Sequence, residues 1–222
     1  MNLDTSSTIL NDETEIFEET NVENVEIPVE IDRKTGVSFP IKLSDGKELK
    51  AIGLRKKNVF GLSLKIYSFA IYADNQVLVG VVKSSEHPSK TTEEMYKAVI
   101  DSAVGITVRM VIVFRHLTMV MVRKYFNEGL GAGIRKLGGA KSNDLTKRIL
   151  GEATDDIKLT PGSEIEITCL PGYVMETKVC GKAVNKFESE LLCRAFIYMY
   201  LGDDPLDKEA KEKFGMTLLS LS

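Results

Sequence analysis

Residues 51–74 read AIGLRKKNVFGLSLKIYSFAIYAD. In the second half, Leu64–Asp74, β-branched and aromatic residues are dense and almost every position is apolar or neutral. That composition predicts a strand covered on both faces. Ahead of it, Glu48–Arg55 predicts a second strand, and Lys56–Ser63 is a short connection with Gly61 as its turn residue. Two strands joined this way form a hairpin.

Outward from the hairpin, ordered structure is expected to begin near Val25–Phe39, with Pro28 and Pro40 suiting extended edge segments that give up a ladder donor. Ser89–Val104 predicts a helix with Thr91 or Thr92 near its start, and Ile106–Phe114 a third strong strand. From Thr118 the period changes. Met119, Val122, Phe126, Leu130, Gly133 and Leu137 recur at helical steps, the stripe of an amphipathic helix. Gly129, Gly131 and Gly133 lie within it, so either the helix breaks there or a neighbour packs too closely for a side chain. Asp144–Leu150 predicts a short helix, Glu164–Leu170 and Tyr173–Val179 a hairpin across Pro171-Gly172, and Lys186–Tyr200 and Asp207–Phe214 two final helices. This order predicts an α+β domain over residues 25–222, an antiparallel sheet with helices gathered on one face.

Charge and motifs exclude several classes. Residues 1–32 hold ten acids and no base, which leaves 29 bases against 22 acids, a net of +7, on the remaining chain. Residues 1–24 are therefore expected to be a disordered acidic tail, and the body is mildly basic. It lacks a Lys/Arg block of the kind that marks nucleic-acid binding. No apolar run is long enough to span a bilayer. Met1–Glu30 resembles neither a signal peptide nor a transit peptide, so the chain is expected to be cytosolic or a trimmed form. Cys169, Cys180 and Cys193 are odd in number and lack CxxC spacing, which fits reduced thiols. His87 and His116 have no ligand partner at metal spacing, and neither a metal nor a cofactor is expected. The run Gly129–Gly139 (GLGAGIRKLGG) matches neither the dinucleotide fingerprint nor the P-loop. Asp155-Asp156 and Asp203-Asp204 fall in polar stretches, where solvated roles are the default.

Three segments carry a family resemblance: Ala51–Arg55, Val59–Gly61 and Lys65–Ala73. Together they resemble the first core hairpin of the chalcone isomerase family. The likeness continues through Ile112–Leu130 and Leu191–Phe214. The phrase GLRKKNVFGL, the Leu-Leu-Cys-Arg helix and the Gly-Asp-Asp-Pro turn are similar to the plant fatty-acid-binding branch. The resemblance implies an open-faced β-sandwich, an antiparallel sheet with a layer of helices on one face. It also implies that the five catalytic positions of the enzymes fall on Arg55, Tyr67, Val122, Gly129 and Met199, of which only the arginine is kept.

Arg55 presents a planar donor fork that matches a carboxylate in bidentate geometry and stays charged when desolvated. Tyr67, on the adjoining strand, is placed to reach the same anion, and by resemblance the two hold an acid head group. Met119, Val122, Phe126 and Met199 are the candidates for lining an acyl chain, although a stripe at helical spacing also reads as plain core. A non-catalytic carrier of free long-chain fatty acids in the plastid stroma is therefore the leading expectation, with the cytoplasm as the alternative compartment. Two further readings stay open: a weak chalcone-type isomerase, and an auxiliary protein that binds enzymes of flavonoid or lipid metabolism.

Overall fold

The computed structural model describes residues 27–83, 91–103, 105–139, 145–151 and 157–221. The acidic tail, His87 and Asp155-Asp156 lie outside the described residues. Two short strands, β1 (Val29–Ile31) and β2 (Ser38–Pro40), pair antiparallel into an arm. Strands β3 (Glu48–Val59) and β4 (Leu62–Ala73) then form the expected hairpin, but longer than the sequence implies. Phe60 and Gly61 alone make the turn, with φ of 48° and 80°, the left-handed pair that a two-residue hairpin needs. Most of Lys56–Ser63 is therefore strand rather than connection. Lys and Asn have little strand propensity, so pairing with β4, not local preference, carries Lys56–Val59.

Strands β5 (Ile106–Ile112), β6 (Glu164–Leu170), β7 (Val174–Val179) and β8 (Lys182–Glu188) complete a six-stranded sheet in the order β3-β4-β5-β6-β7-β8. Every neighbouring pair is antiparallel. The expected hairpin across Pro171-Gly172 forms as β6–β7. Strand β8 replaces the start of the expected helix at Lys186. Cys180 and Gly181 form a second left-handed turn (φ 49° and 77°), and Ser189 marks the true helix start by accepting from the Leu192 N–H at 3.4 Å. Cys169, Cys180 and Cys193 are all unbridged, and the first and last are buried.

The helices are α1 (Asn75–Lys83), α2 (Thr92–Ser102), α3 (Met119–Lys136), α4 (Leu145–Leu150), α5 (Glu190–Leu201) and α6 (Lys208–Leu221). Helix α1 is absent from the sequence reading because its valine-rich run has no helical signature. Asp74 starts it by accepting from the N–H groups of Gln76 and Val77 at 2.7 and 3.2 Å. Thr91 and Glu94 form a capping box on α2, and Thr118 caps α3. Helix α3 runs unbroken through its glycines. A Cβ at Gly133 would sit 3.0 Å from the Ala195 carbonyl oxygen of α5, and one at Gly129 would sit 2.8 Å from the Met199 Cε. Close helix packing, not interruption, accounts for these two positions.

The faces of the β3–β4 hairpin divide cleanly. Ala51, Tyr67, Phe69 and Ile71 join the main core with the helices, while Ala70, Tyr72 and Val111 pack under the arm with Phe39 and Leu43. Gly53 lies opposite Phe69, and a Cβ there would collide with the Phe69 ring and come within 2.8 Å of the Ala210 Cβ of α6. The missing side chain is what seats Phe69 and lets α6 lie on β3. Gly53→Ala is expected to lower unfolding free energy by about 2–3 kcal/mol in urea titration. Gly131→Ala, whose added Cβ meets only the Arg135 guanidinium at 3.5 Å, is expected to be neutral or to stabilise by up to about 1 kcal/mol.

Candidate functional site

The register places Arg55 directly across from Tyr67, so the two side chains share the helix-facing side of the sheet. Immediately beyond, Lys56 pairs with Lys65, which leaves Ile66 as an extra residue in β4, a bulge. The Ile66 carbonyl accepts from the N–H groups of Val113 and Phe114, each at 3.0 Å, and this fixes the bulge against the end of β5. Arg55 is half-buried, and Tyr67 is 6% exposed.

Helix α5 supplies the third member. Tyr200 is 2% exposed, lies beside Tyr67, and donates to the Met110 Sδ at 3.8 Å. Burial pushes the Tyr67 phenol up from its ordinary pKa of 10.0, with the Arg55 charge and the neighbouring Tyr200 hydroxyl opposing. Tyr200 is raised further, because burial is joined by the neighbouring Tyr67, again against the pull of Arg55. Both phenols are thus neutral hydrogen-bond donors across the ordinary pH range. Ring packing holds them in place. Tyr67 meets Phe69 edge-on at 6.4 Å, Phe69 meets Tyr200 at 5.0 Å, and Tyr200 meets Phe196 at 5.4 Å.

Two spaces adjoin this cluster. The first is a cleft of about 300 Å³ lined by Arg55, Gly129, Gly133, Tyr198, Met199 and Leu206, with acids at its mouth. Those acids have partners of their own. Asp203 accepts from the Tyr198 hydroxyl at 2.8 Å and pairs with Lys136 at 3.0 Å, and Glu128 pairs with Lys57. No carboxylate among the described residues forms an ion pair with Arg55. The second space lies behind Tyr67, lined by Ile66, Met110, Leu117, Val122 and Phe126, and its volume is about 10 Å³. That is room for roughly one water molecule.

The residues singled out from sequence divide accordingly. Arg55 and Met199 line the cleft, and Tyr67, Val122 and Phe126 line the apolar void. Met119 is fully buried and lines neither space. Tyr200 and Met110 were not singled out. Helix α5 is buried nearly all round, so its sequence gives no stripe to tell Tyr200 from Met199. Gly129 and Gly133 belong to a helix–helix contact rather than a phosphate loop. Among the described residues no cluster of His, Cys, Asp or Glu is suited to a metal ion.

Comparison with known proteins places this geometry. The profile of the family described as chalcone isomerase-like matches residues 33–214. Chalcone isomerase-like protein 1 of Humulus lupulus is 50% identical over 198 residues, covering 87% of this chain and 92% of that protein. Fatty-acid-binding protein 1 of Arabidopsis thaliana is 32% identical over 190 residues, covering 83% of this chain and 68% of that one. The crystal structure of the Arabidopsis thaliana fatty-acid binding protein AtFAP1 superposes with a TM-score of 0.80 at 30% identity, covering 87% of this chain and 98% of that one. The open six-stranded antiparallel sheet with its helices is therefore an α+β fold shared with AtFAP1. On the match across residues 33–214 and on these relatives, the chain belongs to the chalcone isomerase-like family.

Proposed function

We propose that this protein binds a free long-chain fatty acid without transforming it, its carboxylate held by Arg55 with Tyr67 and Tyr200 behind. One observation carries the reading: a half-buried guanidinium faces two buried phenols, and no described carboxylate forms an ion pair with it. A half-buried cation with no described ion-pair partner is placed to take an anion, and a planar fork flanked by neutral donors suits a carboxylate. Two relatives named as fatty-acid-binding proteins support the ligand class.

The acyl chain lies along the apolar void behind Tyr67, between the sheet and α3. A chain of about sixteen carbons gains on the order of 10 kcal/mol from burial before entropy is subtracted. The present void of about 10 Å³ is far too small, so binding requires α3 to lift from the sheet. Its low-propensity glycines at 129, 131 and 133 weaken the element that must move.

The same positions argue against chemistry. By resemblance, Val122, Gly129 and Met199 stand where the isomerases carry hydrogen-bonding side chains, and none of the three offers a donor. The compartment that goes with this reading is the plastid stroma, where fatty acids are made, and the enzymes that make or use them are its metabolic partners.

Arg55→Gln is expected to weaken binding of a long-chain fatty acid by about 10- to 100-fold in a fluorescence displacement titration, while the matching alcohol is unaffected. Equal losses for both ligands would remove the head-group role. Added chalcone is expected to cyclise at the spontaneous rate in the presence of the protein, and acceleration abolished by the same variant would restore the isomerase reading. The phenols give a pH signature. The folded protein keeps protons on Tyr67 and Tyr200 where the unfolded chain has lost them, so stability is complete below the ordinary tyrosine pKa of 10.0 and falls as pH rises through it. The double variant Tyr67→Phe/Tyr200→Phe is expected to lose less stability than the parent between about pH 9 and about pH 11, read from urea midpoints.

A further inference from the structure

Beyond Lys57, Leu64 and Lys65, which touch α3, the core and the arm, the apex of the β3–β4 hairpin is held by its own strand pairing. Strand β5 reaches β4 only as far as the Tyr67–Ile112 pair, so from the Lys56–Lys65 pair outward the hairpin has no third strand. At the rise of an extended chain, the four residues from Lys56 to the turn project about 13 Å beyond the sheet. Phe60 at the turn is 101% exposed, and Leu62 is 67% exposed. Phe60 also holds a left-handed φ of 48°, a position that favours Asn, Asp or Gly and is costly for an aromatic residue. A bulky apolar side chain that is both strained and fully solvated runs against stability and solubility alike, which points to a partner outside the chain.

Charge identifies the partner. Residues 56–65 (KKNVFGLSLK) contain Lys56, Lys57 and Lys65 and no acid. Lys56 and Lys65 are exposed, with the Lys65 ammonium donating to the Lys34 carbonyl. Lys57 lies over the Tyr125 ring at 5.3 Å and pairs with Glu128. An apolar apex on a collar of lysines is complementary to an anionic lipid surface: Phe60 and Leu62 enter the acyl boundary while the lysines meet the headgroups. We infer that the β3–β4 tip is a peripheral docking site for bilayers of anionic lipid. Among the described residues no helix is long and apolar enough to cross a membrane, so this contact is superficial. The inference stands without the fatty-acid reading; if both hold, the strands that dip into the bilayer lead straight to Arg55 and Tyr67.

The full chain is to be sedimented with extruded vesicles of phosphatidylcholine alone and with about one third phosphatidylglycerol. Binding is expected only with the anionic vesicles and is expected to weaken as salt is raised. Phe60→Asn/Leu62→Thr creates the Asn-Gly turn that the backbone prefers, so its thermal midpoint should be no lower than the parent's, while vesicle affinity drops about tenfold or more. Lys56→Gln should cost about fivefold. The chain has no tryptophan, so Phe60→Trp gives a single reporter whose emission should shift to the blue on anionic vesicles. Absence of vesicle binding by the parent, undiminished binding by the folded double variant, or an unshifted emission spectrum from the Phe60→Trp variant would each overturn the assignment, and the first of these would leave a protein partner for the tip. Loss of fatty-acid binding by Arg55→Gln with vesicle binding intact separates the two proposals.

Discussion

Strand β4 is buried without interruption from Ile66 to Ala73, and a strand enclosed on both faces requires two layers to cover it. On one side the helices supply the cover. On the other it comes from the short β1–β2 arm, a small element held by a polar lock. Ser68 is fully buried on that side and donates to Asp32 at 2.7 Å, and Asp32 also accepts from Thr35 at 2.6 Å and from the Lys34 N–H at 2.9 Å. Burial tends to raise the Asp32 pKa, but these hydrogen bonds and the Lys34 charge outweigh it and hold the carboxylate below its usual range. The arm is thereby fixed to the back of the hairpin one residue from the Arg55–Tyr67 pair. The arm thus covers the hairpin behind the Arg55–Tyr67 pair.

On the helix side the chemistry and the space are divided between neighbours. The charged group faces an open cleft, the two phenols lie deeper, and the apolar lining beyond them is nearly filled by its own side chains. The buried Tyr67–Tyr200 pair, packed edge-on against Phe69 and Phe196, is a rigid wall rather than an adaptable one. The facing wall is α3, which packs closely on α5: Gly133 lies against the Ala195 backbone and Phe126 stacks on Phe196 at 6.4 Å.

How much of this was legible in the sequence follows from which periods the sequence can express. The enclosed strand Leu64–Asp74 announced itself because burial on both faces forces apolar residues at successive positions. The stripe from Met119 to Leu130 did so because α3 is buried on one face only. Arg55 and Tyr67 could be set on adjoining strands of one hairpin, but their direct pairing was not legible, because counting from the two-residue turn sets Arg55 across from Ile66 and only the bulge at Ile66 brings Tyr67 opposite. The extent of the hairpin was not legible, since Lys56–Val59 is strand through its partner rather than its composition. Nor was β8, a polar edge strand, or α1, whose valines conceal a helix set by the Asp74 cap. Tyr200 was hidden for a different reason. A helix enclosed on all sides can be turned by one residue without any change in its hydrophobic pattern, so only its packing against the sheet tells Tyr200 from Met199.

Gly129 and Met199 face one another across the cleft beside Arg55, with 2.8 Å between the Met199 Cε and the site of a Cβ on Gly129. The two positions are therefore coupled through the tip of one flexible side chain. A small side chain at 129 is admitted if the methionine terminus swings aside, which spends cleft volume, whereas a smaller residue at 199 enlarges the cleft and relieves position 129 at once. Polar side chains at both positions are accommodated more readily when the change at 199 on α5 accompanies the change at 129 on α3.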